Sequence, residues 1–511
     1  MADRSARSDG ISIGSLPIWH LSPAERARGA YPTPPELARV LAEFALRDAA
    51  DTVLDPGCGA GALLSAAVDR LRALGAAGPL AGQVQGVEID AATADRAAGP
   101  DARITTADFL DLTPAGQVDA VIGNPPYLGY HRFGRAQPGL NGFASAWAAF
   151  AWRALDWLKP DGRLALVLPA EVMAAGYAAP LRRRLLDRFG RVRLITFAIR
   201  TMPQAMADVL LLLAEGRGGT DTVEVIERHD AGDLADLDAG PARRPQPERW
   251  RDAALADEAR EILDGLAASG AFVPLSRWGR VTLGAVTGDN GFFCLDDETA
   301  ASLPPADLEP ILPPGRVALP AHAIDAATWD GWRRAGRRVW LFRPSDDPGP
   351  AARQRIAAGV SAGIDRGFKC RRRTPWWRVK LAGPPPGLIL AQIVHDRPRL
   401  LANPAGVLPL NAHYGVALAP GADAGRLAAA AQGCVTRLSA ERLGIAYGGG
   451  MLKLSLRAAP ALLLPGPDLL GEADVLAAAG LDRAAVATLE TACAAVFARR
   501  VGRARGPRGR G

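Results

Sequence analysis

The feature that most constrains the fold is a regular alternation of short apolar runs with longer helical segments between residues 52 and 215. The runs are almost continuously apolar, as strands buried on both faces of a sheet require. They are Thr52–Asp55, Gln83–Asp90, Val118–Asn124, Arg163–Pro169, Val192–Ile199 and Asp208–Glu215. Because strands that alternate with helices form parallel sheets with right-handed crossovers, this region predicts a doubly wound, Rossmann-like α/β sheet.

The alternation ends after residue 215. Residues 216–247 are rich in Gly, Asp and Pro, which is typical of a linker. The chain beyond them shows no regular alternation, and its last 13 residues, 499–511, carry six arginines among glycines. We therefore predict four parts, which are an α/β domain over 1–228, a linker over 229–247, a mixed α/β domain over 248–498 and a disordered basic tail over 499–511.

A glycine-rich loop, Asp55-Pro56-Gly57-Cys58-Gly59-Ala60-Gly61, follows the first apolar run and opens a helix predicted over 62–74. Glycines let the backbone turn tightly and approach a ligand that a side chain would obstruct. The spacing differs from GxGxxG, and no GxxxxGK[ST] sequence occurs in the chain, which excludes a P-loop. The loop predicts a small-molecule site at the carboxyl edge of the sheet.

Two acidic residues stand at the ends of the next strands. Glu88 ends the second strand in the sequence GVEID, where one carboxylate can accept from both hydroxyls of a ribose. Asp108 follows the third strand, where it can accept from an amine of a base while Phe109 packs on the ring. The alternative for each acid is a structural role as a polar strand end.

The tetrapeptide Asn124-Pro125-Pro126-Tyr127 directly follows the fourth strand, at the edge where open α/β sheets bind ligands. An aromatic amine is a poor nucleophile because its lone pair is delocalised into the ring. The Asn124 side-chain oxygen and the Pro125 carbonyl can accept from the two amine hydrogens, which frees the lone pair. The prolines stiffen the loop, and Tyr127 offers a face for stacking. The tetrapeptide therefore predicts a site that activates an aromatic amine.

Together these motifs resemble the amino-group DNA methyltransferases, specifically the gamma class that methylates the N6 atom of adenine. In that class an upstream motif, the glycine-rich loop, NPPY and a target recognition domain follow one another. The upstream motif matches residues 29–34, GAYPTP, and the resemblance covers about residues 30–215. It implies an S-adenosylmethionine-dependent methyltransferase domain followed by a DNA-recognition domain. It also implies a flipped-out adenine of double-stranded DNA as substrate, with Asn124, Pro125, Pro126 and Tyr127 as the catalytic residues.

The resemblance further implies which residues bind S-adenosylmethionine. Tyr31 and Thr33 would line its methionine end, Glu88 its ribose, and Asp108 with Phe109 its adenine. The complete expected set is Tyr31, Thr33, Asp55, Pro56, Gly57, Cys58, Gly59, Glu88, Ile89, Asp108 and Phe109.

One position departs from the family pattern. Family members usually carry an aromatic residue near 201–204, which sandwiches the flipped base against the tyrosine. This chain has Met202 there, and its nearest aromatic residue is Phe197. A thioether can pack on a ring face, so Met202 and Phe197 are both candidates for the second stacking residue, with a core role as the alternative for Phe197.

The second domain holds the candidate DNA contacts. Residues 283–293, LGAVTGDNGFF, and 447–453, YGGGMLK, resemble motifs from recognition domains of type II and related systems. Residues 365–380 contain seven basic residues, one acid and two tryptophans, a composition that suits contact with phosphates. The alternative is a surface loop whose tryptophans pack inward. The predicted contacts are Arg371, Arg372, Arg373, Trp376, Trp377 and Lys453.

Several other functions stay open. Ribosomal RNA adenine methyltransferases and release-factor glutamine methyltransferases resemble the first domain, but they typically lack a large recognition domain. A DNA-binding specificity subunit without catalysis is the non-enzymatic alternative. Cytosine-C5 chemistry is disfavoured because it needs a Pro-Cys nucleophile that the chain lacks, and cytosine-N4 enzymes more often carry Ser at the position of Asn124. A restriction-modification system, a phage-defence system and a solitary enzyme all fit.

Composition adds weaker constraints. The net charge of +6 favours a polyanionic partner only mildly. The five scattered cysteines form no CxxC pair and the six histidines no metal-like pair, so neither a disulfide framework nor a metal site is predicted. Residues 1–14 lack the apolar core of a signal peptide, and no apolar stretch approaches the roughly 18 residues of a membrane span. We expect a monomeric cytoplasmic protein without membrane contact.

The lysines bear on whether the chain also cleaves DNA. The commonest nuclease fused to such methyltransferases uses a (D/E)xK motif, and none of the four lysines follows an acid at that spacing. We therefore expect any restriction activity to come from a separate endonuclease partner.

Overall fold

The computed structural model describes residues 28–129, 133–140, 144–197, 201–202, 208–234, 242–243, 250–446 and 451–504. The chain forms two compact units. The first unit comprises residues 1–168, 184–193 and 211–220. The second comprises residues 169–183, 194–210 and 221–511.

The described residues up to 243 form helices that alternate with strands. The helices are α1 (Pro35–Ala45), α2 (Ala62–Ala73), α3 (Ala91–Ala97), α4 (Ala146–Ala154) and α5 (Ala179–Arg188). The strands are β1 (Val53–Asp55), β2 (Val84–Glu88), β3 (Arg103–Thr106), β4 (Val118–Gly123), β5 (Leu158–Pro169), β6 (Arg191–Phe197), β7 (Val209–Glu215), β8 (Val223–Arg228) and β9 (Ala242–Arg243).

These strands form one sheet in the order β3-β2-β1-β4-β5-β7-β6-β8-β9. Strand β1 lies parallel to β2 and β4, β2 is parallel to β3, and β4 is parallel to β5. The order of connection therefore reverses between β1 and β4, which is the switch point where such sheets bind ligands. The prediction of a doubly wound, Rossmann-like sheet is confirmed.

The six predicted apolar runs correspond to six of the observed strands. Strand β3 has no such run because three of its four residues, in the sequence RITT, are exposed. Strand β5 begins at Leu158, five residues before the predicted run. Residues 159–161 in this added segment are exposed, so the segment has no apolar pattern that would predict a strand. Periodicity therefore located the buried strands and missed the polar segments, which bury no apolar face.

Helix α2 connects the glycine-rich loop to the sheet. It begins directly after Gly61, whose φ of +89° is a left-handed conformation that favours glycine. A Cβ at that position would also lie 3.3 Å from the Cβ of Ala97. Leu63, Leu64 and Leu71 of the helix are buried, so the helix is held against the sheet by its apolar face.

The second unit contains the remaining helices and strands. The helices are α6 (Asp257–Ala268), α7 (Leu275–Trp278), α8 (Asn290–Phe293), α9 (Asp297–Ala300), α10 (Ala326–Arg334), α11 (Pro350–Ser361), α12 (Ala424–Ala430), α13 (Cys434–Leu443), α14 (Val475–Ala478) and α15 (Arg483–Ala504). The strands are β10 (Phe272–Pro274), β11 (Gly279–Leu283), β12 (Cys294–Leu295), β13 (Leu308–Pro310), β14 (Trp340–Phe342), β15 (Leu388–Ala391), β16 (Ile393–Val394), β17 (Leu400–Ala402), β18 (His413–Leu418), β19 (Ile445–Ala446), β20 (Leu452–Lys453) and β21 (Leu463–Pro465).

These strands form small sheets with antiparallel pairing, such as the four-stranded sheet β11-β18-β15-β17 and the three-stranded sheet β12-β14-β13. One hydrophobic core surrounds the four-stranded sheet and includes Leu388, Leu390, Tyr414 and Val416. A second core, around the three-stranded sheet, includes Phe293, Leu341 and Phe342. The predicted mixed α/β character of the C-terminal part is confirmed.

The predicted domain boundaries stay predictions. Of the predicted linker, 229–247, the structure describes only residues 229–234 and 242–243. Helix α15 continues to Ala504, so the first six residues of the predicted tail are helical rather than disordered, and residues 505–511 lie outside the described part. Among the described helices, none combines the length and the apolar character that a membrane span requires.

Candidate active site

A cavity of about 380 Å³ lies in the first unit, at the carboxyl ends of β1, β2 and β4. Its volume is within the range of sites for small molecules. All eleven residues that the sequence predicts to bind a cofactor line it, together with Asn124 and Pro126. Pro125 is buried and Tyr127 is half-buried, and neither is a lining residue. The aligned carboxyl ends of the parallel strands bring segments 55–63, 87–96, 107–109 and 124–128 to one site. Segment 28–33, which follows no strand, also lines this site.

The side chain of Asn124 is held in one orientation by its amide nitrogen. The Nδ2 group donates to the carbonyl oxygen of Tyr31 at 2.9 Å and to Thr33 Oγ1 at 3.1 Å. Because a peptide carbonyl can only accept, the nitrogen and not the oxygen must face Tyr31. Asn124 Oδ1 is consequently left buried, with no hydrogen-bond partner among the residues that the structure describes. An unsatisfied buried acceptor costs about 1–3 kcal/mol, which a ligand that donates a hydrogen bond would recover.

The upstream segment 29–33 packs directly on the NPPY tetrapeptide. The Tyr127 backbone N–H donates to the carbonyl oxygen of Gly29 at 3.0 Å. Gly29 has a φ of +69°, and a Cβ there would lie only 3.0 Å from the carbonyl carbon of Tyr127. The rings of Tyr31 and Tyr127 are 5.6 Å apart between centroids. Two segments almost a hundred residues apart in sequence therefore pack directly against each other.

Tyr127 is held through its backbone N–H and through its side-chain hydroxyl. Its hydroxyl donates to the carbonyl oxygen of Val167 in β5, at an O–O distance of 3.3 Å. Burial raises the pKa of this hydroxyl above its ordinary value, and the neighbouring Tyr31 hydroxyl raises it further. The group therefore stays protonated as a donor, and the hydrogen bond sets the plane of the ring.

Asp55 lies under the glycine-rich loop and is 1% exposed. Its Oδ1 atom accepts from the backbone N–H of Gly57 at 3.1 Å. Burial raises the pKa of Asp55 to about 7, the Gly57 hydrogen bond opposes this shift, and the negative charge of Glu88 adds to it. Burial therefore favours the protonated form of this carboxyl group, and a charged ligand nearby would shift its ionisation.

Glu88 connects the end of β2 to two loops. Its Oε2 atom accepts from the backbone N–H of Gly59, and its Oε1 atom accepts from that of Asp90, each at 3.0 Å. Asp90 in turn caps α3 through Thr93 N at 3.0 Å and pairs with Arg28 at 3.3 Å. Each Glu88 oxygen keeps a further lone pair, so the carboxylate can bind a diol while it positions the loop.

Asp108 has a partner that the sequence analysis did not identify. Its Oδ1 atom accepts from Leu110 N at 3.0 Å, and its Oδ2 atom pairs with Arg135 Nη1 at 2.6 Å. Arg135 also pairs with Asp111 at 2.6 Å and lines the cavity. No motif marks Arg135, because a basic residue in a loop 27 positions away gives no periodic signal. The guanidinium group competes with any ligand amine for Asp108.

Two of the predicted residues contribute apolar lining and differ in exposure. Phe109 is 1% exposed and packs on Phe150 and Trp157, with ring centroids 5.5 and 5.7 Å apart. Ile89 is 59% exposed, which is unusual for a large aliphatic side chain, and it stands at the cavity. An exposed apolar side chain beside a cavity is suited to cover the flat face of a ring.

The two candidates for the second stacking residue are both buried. Phe197, at the end of β6, is 6% exposed, and Met202 is 1% exposed. The positions that follow Met202, Pro203 and Gln204, lie outside the described residues. The assignment of the second stacking residue stays a prediction.

The predicted DNA contacts divide into exposed and packed side chains. Trp376 packs on Phe292 at 5.5 Å and on Trp377 at 6.1 Å between ring centroids. Arg373 donates to the Thr287 carbonyl oxygen at 2.6 Å. Lys453 in β20 is half-buried, and residues 447–450, which precede it in the YGGGMLK motif, lie outside the described part. Inward packing therefore describes both tryptophans, and only Arg371 and Arg372 of the six predicted residues are exposed.

The motif at 283–293 has a structural role in the second unit. Thr287 Oγ1 donates to Asn290 Oδ1 at 2.6 Å. Asp289 caps the short helix α8 by accepting from Phe292 N at 2.8 Å. Phe293 is fully buried in the core around the three-stranded sheet. These contacts fix the loop that precedes α8.

Comparisons with known proteins relate the chain to restriction-modification methylases. Residues 87–200 match the family model of the Eco57I restriction-modification methylase. Residues 247–491 match that of the C-terminal domain of the type II methyltransferase M.Eco57I. The two models match in chain order, one in each half of the protein.

Individual relatives agree with the family models. The type II methyltransferase M.XamI of Xanthomonas campestris pv. amaranthicola is 26% identical over 78% of this chain and 77% of its own. M.AccI of Acinetobacter calcoaceticus is 20% identical over 75% of this chain and 74% of its own. The type IIL restriction-modification enzyme MmeI, solved in complex with DNA, has a TM-score of 0.55 with 14% identity, covering 93% of this chain and 73% of its own. That structure supports the fold, and the sequence matches relate the chain to type II methyltransferases.

The raised pKa of Asp55 predicts a measurable pH dependence of stability. Between its ordinary pKa of 3.8 and about 7, the folded chain binds more protons at this carboxyl than the unfolded chain. The free energy of unfolding therefore falls as pH rises through this range. Asp55→Asn keeps an acceptor for Gly57 N but does not titrate. We expect the variant to gain about 1 kcal/mol or more relative to wild type between pH 4 and 7, because one pKa unit corresponds to about 1.4 kcal/mol.

The measurement is denaturant unfolding of both proteins at a series of pH values. Asp468→Asn, at an exposed position, controls for the general effect of removing a carboxylate. A difference between wild type and Asp55→Asn that stays constant from pH 4 to 8 would contradict the prediction.

Proposed function

We propose that this relative of the type II restriction-modification methyltransferases transfers a methyl group from S-adenosylmethionine to the N6 amine of adenine in double-stranded DNA. The observation that carries the proposal is the buried, unpartnered Oδ1 atom of Asn124, whose orientation is fixed by the hydrogen bonds of Nδ2. The family models and the named relatives support DNA as the substrate. The NPPY tetrapeptide supports adenine N6 over the other amines.

The residues of the cavity fit S-adenosylmethionine. Glu88 has free lone pairs for ribose hydroxyls, and Ile89 and Phe109 offer apolar surface for an adenine ring. The charge of Glu88 would attract a sulfonium cation, and such a cation would favour ionisation of Asp55. When bound, S-adenosylmethionine supplies an electrophilic methyl group on a positively charged sulfur.

The contribution of Asn124 is to prepare the nucleophile. In this proposal its Oδ1 atom accepts a hydrogen bond from the target amine, and the carbonyl oxygen of Pro125 accepts the other amine hydrogen. Two acceptors favour a more tetrahedral nitrogen and so free the lone pair. Since the Asn124 amide is held by Tyr31 and Thr33 before any substrate binds, no reorganisation is needed during the reaction.

Tyr127 contributes to binding of the base. Adenine N6 cannot reach a cavity in the protein while the base is stacked in a duplex, so the base must flip out. The Tyr127 ring, anchored through its hydroxyl to Val167, offers a face on which the flipped base stacks. Holding the base and the methyl donor side by side removes the entropy of their approach from the barrier.

The alternatives differ in substrate or in catalysis. RNA adenine and protein glutamine methylation are disfavoured because both family models and both named relatives are type II methyltransferases. A DNA-binding specificity subunit without catalysis would not need the intact cavity residues. We propose a restriction-modification or phage-defence setting with a separate restriction endonuclease as partner, and we propose that the enzyme is monomeric and cytoplasmic.

The first prediction of the proposed mechanism concerns Asn124→Ala. This variant removes the acceptor for the target amine, so we expect methyl transfer to DNA to fall by about 100-fold or more. Affinity for S-adenosylmethionine, measured by calorimetry, should fall much less than turnover, because Oδ1 acts on the substrate and only the Nδ2 contacts to Tyr31 and Thr33 affect the cofactor side. Asn124→Ser, which keeps a smaller acceptor, should retain more activity than Asn124→Ala. Turnover near the wild-type rate in Asn124→Ala would refute the proposed mechanism.

The second prediction separates the ring of Tyr127 from its hydroxyl. Tyr127→Phe keeps the stacking face and loses only the hydrogen bond to Val167, so we expect most activity to remain. Tyr127→Ala should lose activity on fully paired DNA, and lose less when the target adenine is mispaired, because unpairing costs less there. The measurement is methyl transfer to matched paired and mispaired duplexes. Equal loss on both substrates would assign Tyr127 a purely structural role.

The third prediction concerns the cofactor. Glu88→Ala removes the acceptor for Gly59 N, for Asp90 N and for the ribose hydroxyls, so affinity for S-adenosylmethionine should fall about 10-fold or more. Glu88→Gln, which keeps one oxygen, should fall less. Glu43→Ala removes an exposed carboxylate that pairs with Arg39 and should leave affinity unchanged. Unaltered affinity of Glu88→Ala in a calorimetric titration would place the ribose elsewhere.

A further inference from the structure

The second unit carries an exposed aromatic ring surrounded by positive charge, which we name the Phe368 patch and define as Phe368, Lys369, Arg371 and Arg372. Phe368 is 52% exposed. Lys369 Nζ lies 5.4 Å from the centre of its ring, and the Cζ atoms of Arg371 and Arg372 lie 5.6 and 4.4 Å from it. Within the described residues, none of these three cations has a carboxylate at ion-pair distance. An exposed apolar face and three uncompensated charges therefore share one small area.

The base of the patch is held firmly by the chain beneath it. Cys370, between the cations, is 1% exposed, and its sulfur lies 3.9 Å from the Thr287 carbonyl oxygen. A Cβ at Gly288 would lie 3.1 Å from the same sulfur, so the two segments are in close contact. Arg373 donates to the carbonyl oxygens of Val286 and Thr287. The patch is therefore presented from a fixed support, while its four side chains remain accessible.

The arrangement is costly for the chain alone. The three like charges repel each other, although their attraction to the ring offsets part of this repulsion, and the large apolar ring remains half exposed to water. The single acid of the segment, Asp365, is half-buried, and the described part of the chain shows no ion pair between it and the three cations. Both costs fall when a partner supplies negative charge and a flat apolar face together.

Nucleic acid has both properties, since phosphates provide the charge and bases provide the faces. An acidic protein surface supplies carboxylates without a matching row of flat rings. Proteins that bend or open a duplex frequently insert an apolar side chain between base steps and hold the flanking phosphates with basic residues. The chemistry of the patch matches this mode of contact.

On the basis of the proposed DNA methyltransferase function, we infer that Phe368 inserts into the base stack of bound DNA, and that Lys369, Arg371 and Arg372 contact the flanking phosphates. Insertion opens a base step, so the patch both binds DNA and helps to distort it. The sequence predicts contacts of this segment through arginines and tryptophans, whereas the aromatic contact inferred here is Phe368.

The experiment measures affinity of the full chain for a fluorescent duplex and for the same duplex with one abasic site, over a series of salt concentrations. Where a base is missing, less stacking must be broken, so wild type should bind the abasic duplex more tightly. Phe368→Ala should weaken binding to the intact duplex by about fivefold or more and remove the preference for the abasic one. Its salt dependence should stay that of wild type, because no charge is lost.

The charge variant gives the complementary result. Replacing Arg371 and Arg372 together by Ala should reduce the slope of log affinity against log salt by about 1.8, since each phosphate contact contributes about 0.9. The preference for the abasic duplex should remain. Phe368→Leu, which keeps an apolar side chain, should recover part of the affinity. Phe497→Ala is a matched control, because Phe497 is 40% exposed under a single cation, Arg437, and should change neither quantity.

Thermal unfolding and S-adenosylmethionine binding should be the same for Phe368→Ala and wild type, which separates contact with DNA from a folding defect. Wild-type affinity and abasic preference in Phe368→Ala would overturn the inference and leave the proposed function standing. Tighter binding of an RNA duplex or of anionic vesicles than of DNA would also overturn it. Failure of wild type to bind any duplex DNA would instead count against the proposed function itself.

Discussion

The candidate site depends on the pair of hydrogen bonds that Asn124 Nδ2 donates to Tyr31 and Thr33. These bonds decide which end of the amide faces the cavity, and they leave Oδ1 as a buried acceptor without a partner. A structural asparagine would satisfy both ends within the protein. Here the folded chain leaves Oδ1 unsatisfied at the position where an amine substrate would donate a hydrogen bond. An unsatisfied buried acceptor lowers stability, so its presence indicates a function in binding.

Asp55, under the glycine-rich loop, is a second group that lowers the stability of the ligand-free chain and is suited to bind a ligand. Asp55 is buried with a pKa raised to about 7, and the charge of Glu88 contributes to that shift. Burial of Asp55 and the charge of the half-buried Glu88 both disfavour ionisation of Asp55, and a cationic ligand would favour it. Binding of a sulfonium compound would therefore stabilise the loop. The stability of the first unit should then depend on its proposed cofactor.

The sequence was sufficient for the parts of this architecture that have a local signal. The buried strands, the glycine-rich loop and NPPY could be located because periodicity and spacing follow from the geometry of a parallel sheet. The ion pair of Arg135 with Asp108 could not, because it joins two loops through side chains that have no fixed spacing. Trp376 and Phe368 show the same limit, since composition marks an aromatic basic segment but not which ring is packed and which is exposed.

The central claim is that the amine activated by Asn124 is adenine N6 of DNA. The most direct measurement is to incubate the purified chain with duplex DNA and S-adenosylmethionine that carries an isotopically labelled methyl group, to digest the DNA to nucleosides, and to identify the labelled product by mass spectrometry. We predict label in N6-methyldeoxyadenosine, and none with the Asn124→Ala variant. Label in N4-methyldeoxycytidine, or label transferred to RNA or protein but not to DNA, would contradict the account.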